Sequence, residues 1–197
     1  DYLDAYANRA QVQYELGAYA AALTDIDASL DIYEENSGAH YLRAQIQLQL
    51  SNPTEALADF TRVLEIDPDW AGVHAERGWV YFEQGDYEAA LNDFEAYLAT
   101  DPENIDALHA KAEAQDALED KEAALATFAV TLALDDYDSY ALRRSGDLLY
   151  DLQRWDEAVA MYERYLQIDG DASESYVRER LTSIQDMSAR GSEETGK

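Results

Sequence analysis

Cysteine is absent from this 197-residue chain, which removes disulfides, thiolate nucleophiles and zinc–thiolate sites from consideration. Three prolines and nine glycines leave too little punctuation for the many short turns of an all-β protein. Basic residues are scarce as well. Fourteen Lys and Arg stand against 42 Asp and Glu, giving a formal net charge of −28. That balance argues against a nucleic-acid partner, because phosphate recognition needs clustered cations. It also disfavours an anionic membrane surface, and no apolar stretch approaches the roughly 18 residues that would cross a bilayer. A phosphate-cradling Gly-Lys-Ser/Thr loop and a Gly-x-Ser-x-Gly elbow are both missing. Position 1 is Asp rather than Met, so Asp1 is either a matured amino terminus or the edge of an excised piece. Lack of an initiator Met and of Cys fits an extracytoplasmic or secreted chain, but neither fixes the compartment.

What is present is a rhythm. Hydrophobic residues make up 47% of the chain, and they recur at helical spacing, as in Ala89, Ala90, Phe94, Tyr97 and Leu98. Self-similarity has a period of 34 residues, and five windows fit without a gap: 3–36, 37–70, 71–104, 105–138 and 139–172. The eighth place is small throughout (Ala10, Ala44, Gly78, Ala112, Gly146) and the twentieth is always Ala (Ala22, Ala56, Ala90, Ala124, Ala158). The twenty-fourth is large (Ile26, Phe60, Phe94, Phe128, Tyr162), and the twenty-eighth is Leu in every window, from Leu30 to Leu166. Two antiparallel helices approach closely only where one presents a methyl group or a hydrogen, and bulky residues then fill the flanking gaps.

These places resemble the tetratricopeptide repeat (TPR) family. The window with His74, Gly78, Tyr81, Gly85-Asp86-Tyr87, Ala90, Phe94 and Pro102 comes closest to the family pattern. The resemblance covers 3–172 and implies an all-α, right-handed superhelical solenoid of antiparallel helix pairs. Departures are local. Tyr33-Glu34, Asp135-Asp136 and Asp169-Gly170 replace the usual Asp-Pro, while Pro53, Lys121 and Trp155 replace the turn tyrosine. Arg9, Arg43, Arg77 and Lys111 hold the seventh place, which is often Leu. Gly85 is expected to provide a left-handed helix exit. Residues 173–189 read as a capping helix with Tyr176, Val177, Leu181, Ile184 and Met187 on its apolar face, and 190–197 as a flexible tail. The first repeat, with Leu3, Tyr6 and Val12, has no cap before it.

Catalysis has little support, and neither a cofactor nor a metal is expected. His40 and His74 share the fourth place of successive repeats, one helix-packing distance of about 8–10 Å apart, too far to bind one zinc through nitrogen bonds of ~2 Å. The pairs Asp25/Asp27, Asp67/Asp69, Asp136/Asp138 and Asp169/Asp171 are read as helix-end carboxylates rather than a calcium loop. The resemblance instead implies recognition of a protein or peptide on the concave face of the first helices. Carried over by repeat place, the groove residues are Gln11, Tyr14, Tyr41, Gln45, Trp79, Phe82, His109, Tyr140, Arg143, Arg144 and Tyr150. Asn8, Glu83, Asp116 and Asp147 occupy further lining places. The Lys/Asn clamp with which some members hold a terminal carboxylate is missing, since its places carry Ala7, Gln11, Leu42, Gly72 and Glu76. Arg143 and Arg144 either hold an anion or pair with Asp147 and Asp151 one turn away. Tyr14, Phe82 and Tyr150 either face a ligand or pack between helices.

Two functional readings follow. The first is a non-catalytic scaffold that binds a neutral or basic peptide or helix in its groove. The alternative is a self-assembling structural subunit, in which the uncapped first repeat leads to head-to-tail homo-oligomers or an extracellular filament.

Overall fold

The computed structural model describes residues 2–168 and 174–195, with side chains over 4–168 and 175–187. Among the described residues there are eleven α-helices and no strand. Five helix–turn–helix pairs follow one another: α1 (Tyr2–Glu15) with α2 (Tyr19–Ile32), α3 (Ser37–Gln49) with α4 (Pro53–Ile66), α5 (Ala71–Gln84) with α6 (Tyr87–Leu98), α7 (Ile105–Ala117) with α8 (Lys121–Leu134), and α9 (Ser139–Asp151) with α10 (Trp155–Ile168). A lone helix, α11 (Glu174–Thr195), completes the order. The all-α architecture of antiparallel pairs expected from the repeat is present.

The chain divides into two compact units, Asp1–Pro102 and Glu103–Lys197. In the first, α2 packs on α3 and α4 on α5; in the second, α8 packs on α9 and α10 on α11. Phe60 and Phe94 are fully buried in the first unit, Phe128 and Tyr162 in the second. Each such ring contributes about 1.5–3 kcal/mol by leaving water. The small eighth place fits the large twenty-fourth as the sequence requires. A methyl group on Gly78 would sit 3.0 Å from the Phe94 ring, and one on Gly146 only 2.6 Å from that of Tyr162.

Local signals set the ends. Asn36, Asp86, Asn104, Asp120 and Asp138 each accept a hydrogen bond from the backbone amide three residues on, capping α3, α6, α7, α8 and α9. Gly85 leaves α5 in the left-handed conformation, φ 81°. The same conformation recurs at the fifteenth place of every repeat, at Gly17, Ser51, Glu119 and Gln153 as well. Only two of the five are glycine, so three of these turns were invisible to a search for glycine. In α11, Val177 and Ile184 are buried whereas Tyr176 and Met187 stay about two-fifths exposed, so its apolar face is narrower than expected. The helix also runs past position 189 to Thr195. Ala189, Glu193 and Glu194 are good helix formers and a single Gly191 costs only about 1 kcal/mol, so composition alone misplaced the boundary of the tail. Leu3 and the segment 169–173, with Asp169, Gly170 and Asp171, lie outside the described side chains, as do 196–197.

Candidate functional site

The first unit holds a polar centre repeated three times. Arg9 pairs with Asp25, Arg43 with Asp59 and Arg77 with Asp93, each through two guanidinium nitrogens and always from the seventh place to the twenty-third. The carboxylates are nearly inaccessible, whereas the arginines are progressively covered: 60%, 27% and 18% of their side-chain surface remains exposed. The gradient has a simple cause. Arg43 and Arg77 also reach the twenty-fifth place of the preceding repeat, at Asp27 (2.9 Å) and Thr61 (3.1 Å), a contact that Arg9 does not make among the described residues. Arg9 holds the Asp25 carboxyl below the usual carboxylate range, with burial opposing the shift.

His40 and His74 join these pairs. His40 Nδ1 lies 2.9 Å from Asp59 and its Nε2 2.9 Å from the Glu34 carbonyl, while His74 Nδ1 lies 2.8 Å from Asp93. Both histidines are thus packing partners of an Arg–Asp pair. Arg9, Arg43 and Arg77 read in sequence as departures from Leu. The fixed offset of sixteen residues to an Asp in three consecutive repeats is the signal in the sequence that would have revealed their role.

The first helix of each repeat ends against its turn through the twelfth and seventeenth places. Odd repeats fill these with rings: Tyr14 with Tyr19 (centroids 5.7 Å apart), Phe82 with Tyr87 (5.3 Å) and Tyr150 with Trp155 (5.2 Å). Tyr14, Phe82 and Tyr150 therefore pack across their own turns. Tyr150 is further covered by α11, through Ser183 (3.0 Å) and the Arg180 guanidinium 4.1 Å from its ring centre. In the second repeat the same two places hold Leu48 and Pro53, which are too small to close the space. A cleft of about 520 Å³ opens there, lined by Leu48, Ser51, Pro53, Glu76, Trp79, Val80 and Glu83.

Trp79 stands at this cleft, 43% exposed, with its ring edge-on to Phe94 (5.3 Å) and Phe82 (5.8 Å). Glu76 and Glu83 lie three residues before it and four after, on the same stripe of α5. Glu76 accepts the phenol hydrogen of Tyr41, which in turn accepts from Gln45 at 3.0 Å. Burial, reinforced by the Glu76 carboxylate, pushes the Tyr41 phenol well above its ordinary range. Tyr41 also lies 4.8 Å from Trp70, so one edge of the cleft is fixed by packing. Gln11 bonds to Glu15 on the exposed side of α1. Beside it, Val12 on that helix and Leu16 just past its end remain exposed.

The residues expected to line a groove in the second unit satisfy one another. Arg144 grips Glu113 through two bonds (2.6 and 2.8 Å) and Asp116 through a third (2.8 Å), and Tyr140 donates to the same Glu113 at 2.9 Å. Burial and this carboxylate push the Tyr140 phenol up to about 12. Arg143 pairs with Asp147 (3.2 Å), as the one-turn spacing allows, but Asp151 is taken by Lys121 (2.8 Å). Arg144 is therefore held by Glu113 and Asp116 more than by Asp147 or Asp151, which leaves little guanidinium for a bound anion. His109 packs on Tyr140, centroids 4.7 Å apart.

Among the described residues no group of three His, Asp or Glu converges as a metal site would need, and no helix is long and apolar enough to cross a membrane. Of the Asp pairs read in sequence, Asp25 and Asp27 meet arginines, Asp136 meets Arg164 and Asp138 caps α9.

Two family profiles, both described as tetratricopeptide repeat, match the chain, one over 46–115 and the other over 7–69 and 131–173. No curated protein matches it. Among solved structures it is similar to YrrB, described as a TPR protein with an unusual peptide-binding site. That likeness has a TM-score of 0.80 at 17% identity, over 89% of this chain and 91% of that one. MamA from Desulfovibrio magneticus RS-1 gives 0.73 at 21%, over 94% and 98%. PilF of Pseudomonas aeruginosa gives 0.65 at 20%, over 96% and 91%. At such identities the likeness carries the fold alone.

Proposed function

This chain belongs to the tetratricopeptide repeat family, and from that premise we propose that it is a non-catalytic interaction scaffold whose first unit takes a basic peptide or helix at the Trp79 cleft. One observation carries the reading: a half-exposed indole between two carboxylates, above an apolar floor made by Leu48, Pro53 and Val80. A Lys or Arg side chain fits this chemistry. Its methylene stem rests on the floor while its head meets the π-face and the carboxylates. The second unit is a poorer receptor for a charged group, because Glu113, Asp116 and Asp147 already bind the arginines beside them. The overall charge of −28 favours the approach of such a ligand. YrrB supplies a precedent for peptide binding in the same fold.

The test is a peptide array probed with the full chain, followed by calorimetry on the peptides it retains. Retained peptides carry Lys or Arg, and Trp79→Ala together with Tyr41→Ala weakens them roughly 30-fold, the 2 kcal/mol of an anchor residue. Because Tyr41 rests on Phe60, Glu83→Gln gives a second reading that leaves the packing alone. Selection of acidic peptides, or affinities that ignore all three substitutions, rejects the proposal.

A further inference from the structure

The five repeats serve as internal controls for one another, and the second helix of the fourth departs from the rest. At the twenty-fifth, twenty-sixth and twenty-ninth places, which face outward, the other repeats carry Asp27 and Asp31, Arg62 and Glu65, Glu95, or Glu163 and Arg164. In α8 the same three places are Ala129, Val130 and Ala133. With Ala126 and Leu134 they make a stripe at i, i+3, i+4, i+7 and i+8, the signature of a helix face that packs on something. Yet Val130 is 47% exposed and Leu134 42%, with Tyr137 just beyond the last turn at 71%. The core-facing side of α8 is already filled by Ala124 and Phe128, so this is a second apolar face. A depression of about 320 Å³ adjoins it, with Leu125, Leu132, Leu149 and Met161 in its lining and the ion-paired Glu122, Arg154 and Glu157 at its edge.

We propose that this face is where a second copy of the chain docks, with the two α8 helices antiparallel about a two-fold axis. Charge identifies the occupant. Over Lys121–Leu134 the net charge is zero, whereas the second helices of the other four repeats each carry −2 or −3. On a molecule of −28, α8 is the second helix along which an identical copy meets least repulsion. In an antiparallel mate the helix dipoles align favourably. Ala129 and Ala133 at the centre allow axes to approach to about 8 Å. An isologous contact of this kind closes at two and cannot propagate into a fibre. The proposal uses the outer face and is independent of what the Trp79 cleft binds.

Sedimentation equilibrium of the full chain tests it, and the absence of cysteine makes cross-linking clean. The expected result is a reversible monomer–dimer equilibrium that tightens with salt as the residual repulsion is screened. Val130→Glu should raise the dissociation constant tenfold or more without lowering the melting temperature. If that variant folds poorly, Ala129→Arg reads the same contact from an exposed methyl. Ala133→Cys should form disulfide-linked dimers on mild oxidation, and Ala99→Cys, exposed at the same place of the third repeat, should not. A chain that stays monomeric up to about 1 mM, a K range below any useful affinity, overturns the proposal. So does a dimer indifferent to Val130→Glu and Ala129→Arg, as one built through Val12 and Leu16 would be, or equal cross-linking by the two cysteines.

Discussion

In the unit spanning Asp1–Pro102, each helix pair is joined behind its small-to-large interlock by an arginine clamped on a buried aspartate. In Glu103–Lys197 the corresponding places hold Lys111 with Thr127, then Ser145 with Met161, and Thr127 turns to donate to Gln115 at 2.7 Å. The interlock is the same in both units: Ala44 against Phe60 and Gly78 against Phe94 in one, Ala112 against Phe128 and Gly146 against Tyr162 in the other. One backbone arrangement is thus held by two chemistries. The charged version ties neighbouring repeats together as well, since Arg43 and Arg77 each bond into the repeat before. The neutral version frees its outward surface, and it is there that α8 turns apolar.

The sharpest way to break the comparison is to remove one partner of a charged centre. Arg77→Met leaves the Asp93 carboxylate buried with only His74 beside it. The expected loss is about 3–5 kcal/mol, because an uncompensated interior charge is costlier than the pair is stabilising. Arg77→Met with Asp93→Leu should recover most of it. Ser145→Ala, the same place in the second unit, should change stability by under about 1 kcal/mol. Hydrogen exchange of the α5 and α6 amides, against those of α9 and α10, reads each change locally even where a repeat array does not unfold in one step. Equal losses from Arg77→Met and Ser145→Ala would falsify the distinction.

A second comparison concerns the two glycines of the interlock. Adding a methyl at Gly146 meets Tyr162 at 2.6 Å, and that ring cannot retreat, because its phenol donates to Asp147 at 2.8 Å. Gly146→Ala should therefore cost about 1–3 kcal/mol of overpacking. Gly78→Ala meets Phe94 at 3.0 Å, a ring with no polar tether, and Phe60 and Phe128 already live beside alanines at the same place. Its cost should be the smaller of the two by urea titration. The reverse order would mean that the tyrosine tether is not what fixes the ring.

Acid should find the same asymmetry. Arg9 lowers the Asp25 carboxyl in the folded state, so the unfolded chain takes up that proton first as pH falls. The contribution is complete above the unfolded value of about 3.9 and is lost as pH drops through the lower folded value. The Thr127–Gln115 bond in the second unit has no such proton to gain. Carboxyl carbon chemical shifts followed from pH 6 to 2 give the Asp25 midpoint directly. A midpoint at or above about 3.9 would contradict the pairing.

The parts of this molecule that repeat were legible, and the parts that interrupt the repeat were not. Helix pairing, the place-eight to place-twenty-four contact and the left-handed Gly85 follow from side-chain volume and backbone freedom, which a single chain displays openly. The Arg–Asp pairs were hidden because a charged residue at a place often occupied by Leu looks like an error until its partner sixteen residues on is seen. Of the residues expected in the groove, Tyr41 donates to Glu76 and Trp79 stands half-exposed at the cleft. Tyr14, Phe82 and Tyr150 are drawn aside by Tyr19, Tyr87 and Trp155 on the far side of the turn. That outcome depends on ring-to-ring reach, which repeat place alone does not encode.

The turns supply the finest comparison. Two of the three left-handed fifteenth places in the first unit are glycine, Gly17 and Gly85, and neither of the two in the second is: Glu119 has φ 62° and Gln153 φ 60°. A side chain in this region costs roughly 1–2 kcal/mol relative to the right-handed helix. Glycine relieves that strain but gives back about 0.4–1 kcal/mol through the greater freedom of the unfolded chain. Gln153→Gly should thus stabilise the second unit by under about 1 kcal/mol, visible as a rise of a few degrees at most in Tm. Gly85→Ala should destabilise the first by a similar amount. No atom lies within 4 Å of a Cβ built there, so the backbone alone supplies the effect. If Gln153→Gly instead lowers Tm, the Gln153 side chain contributes contacts that outweigh the strain of its turn.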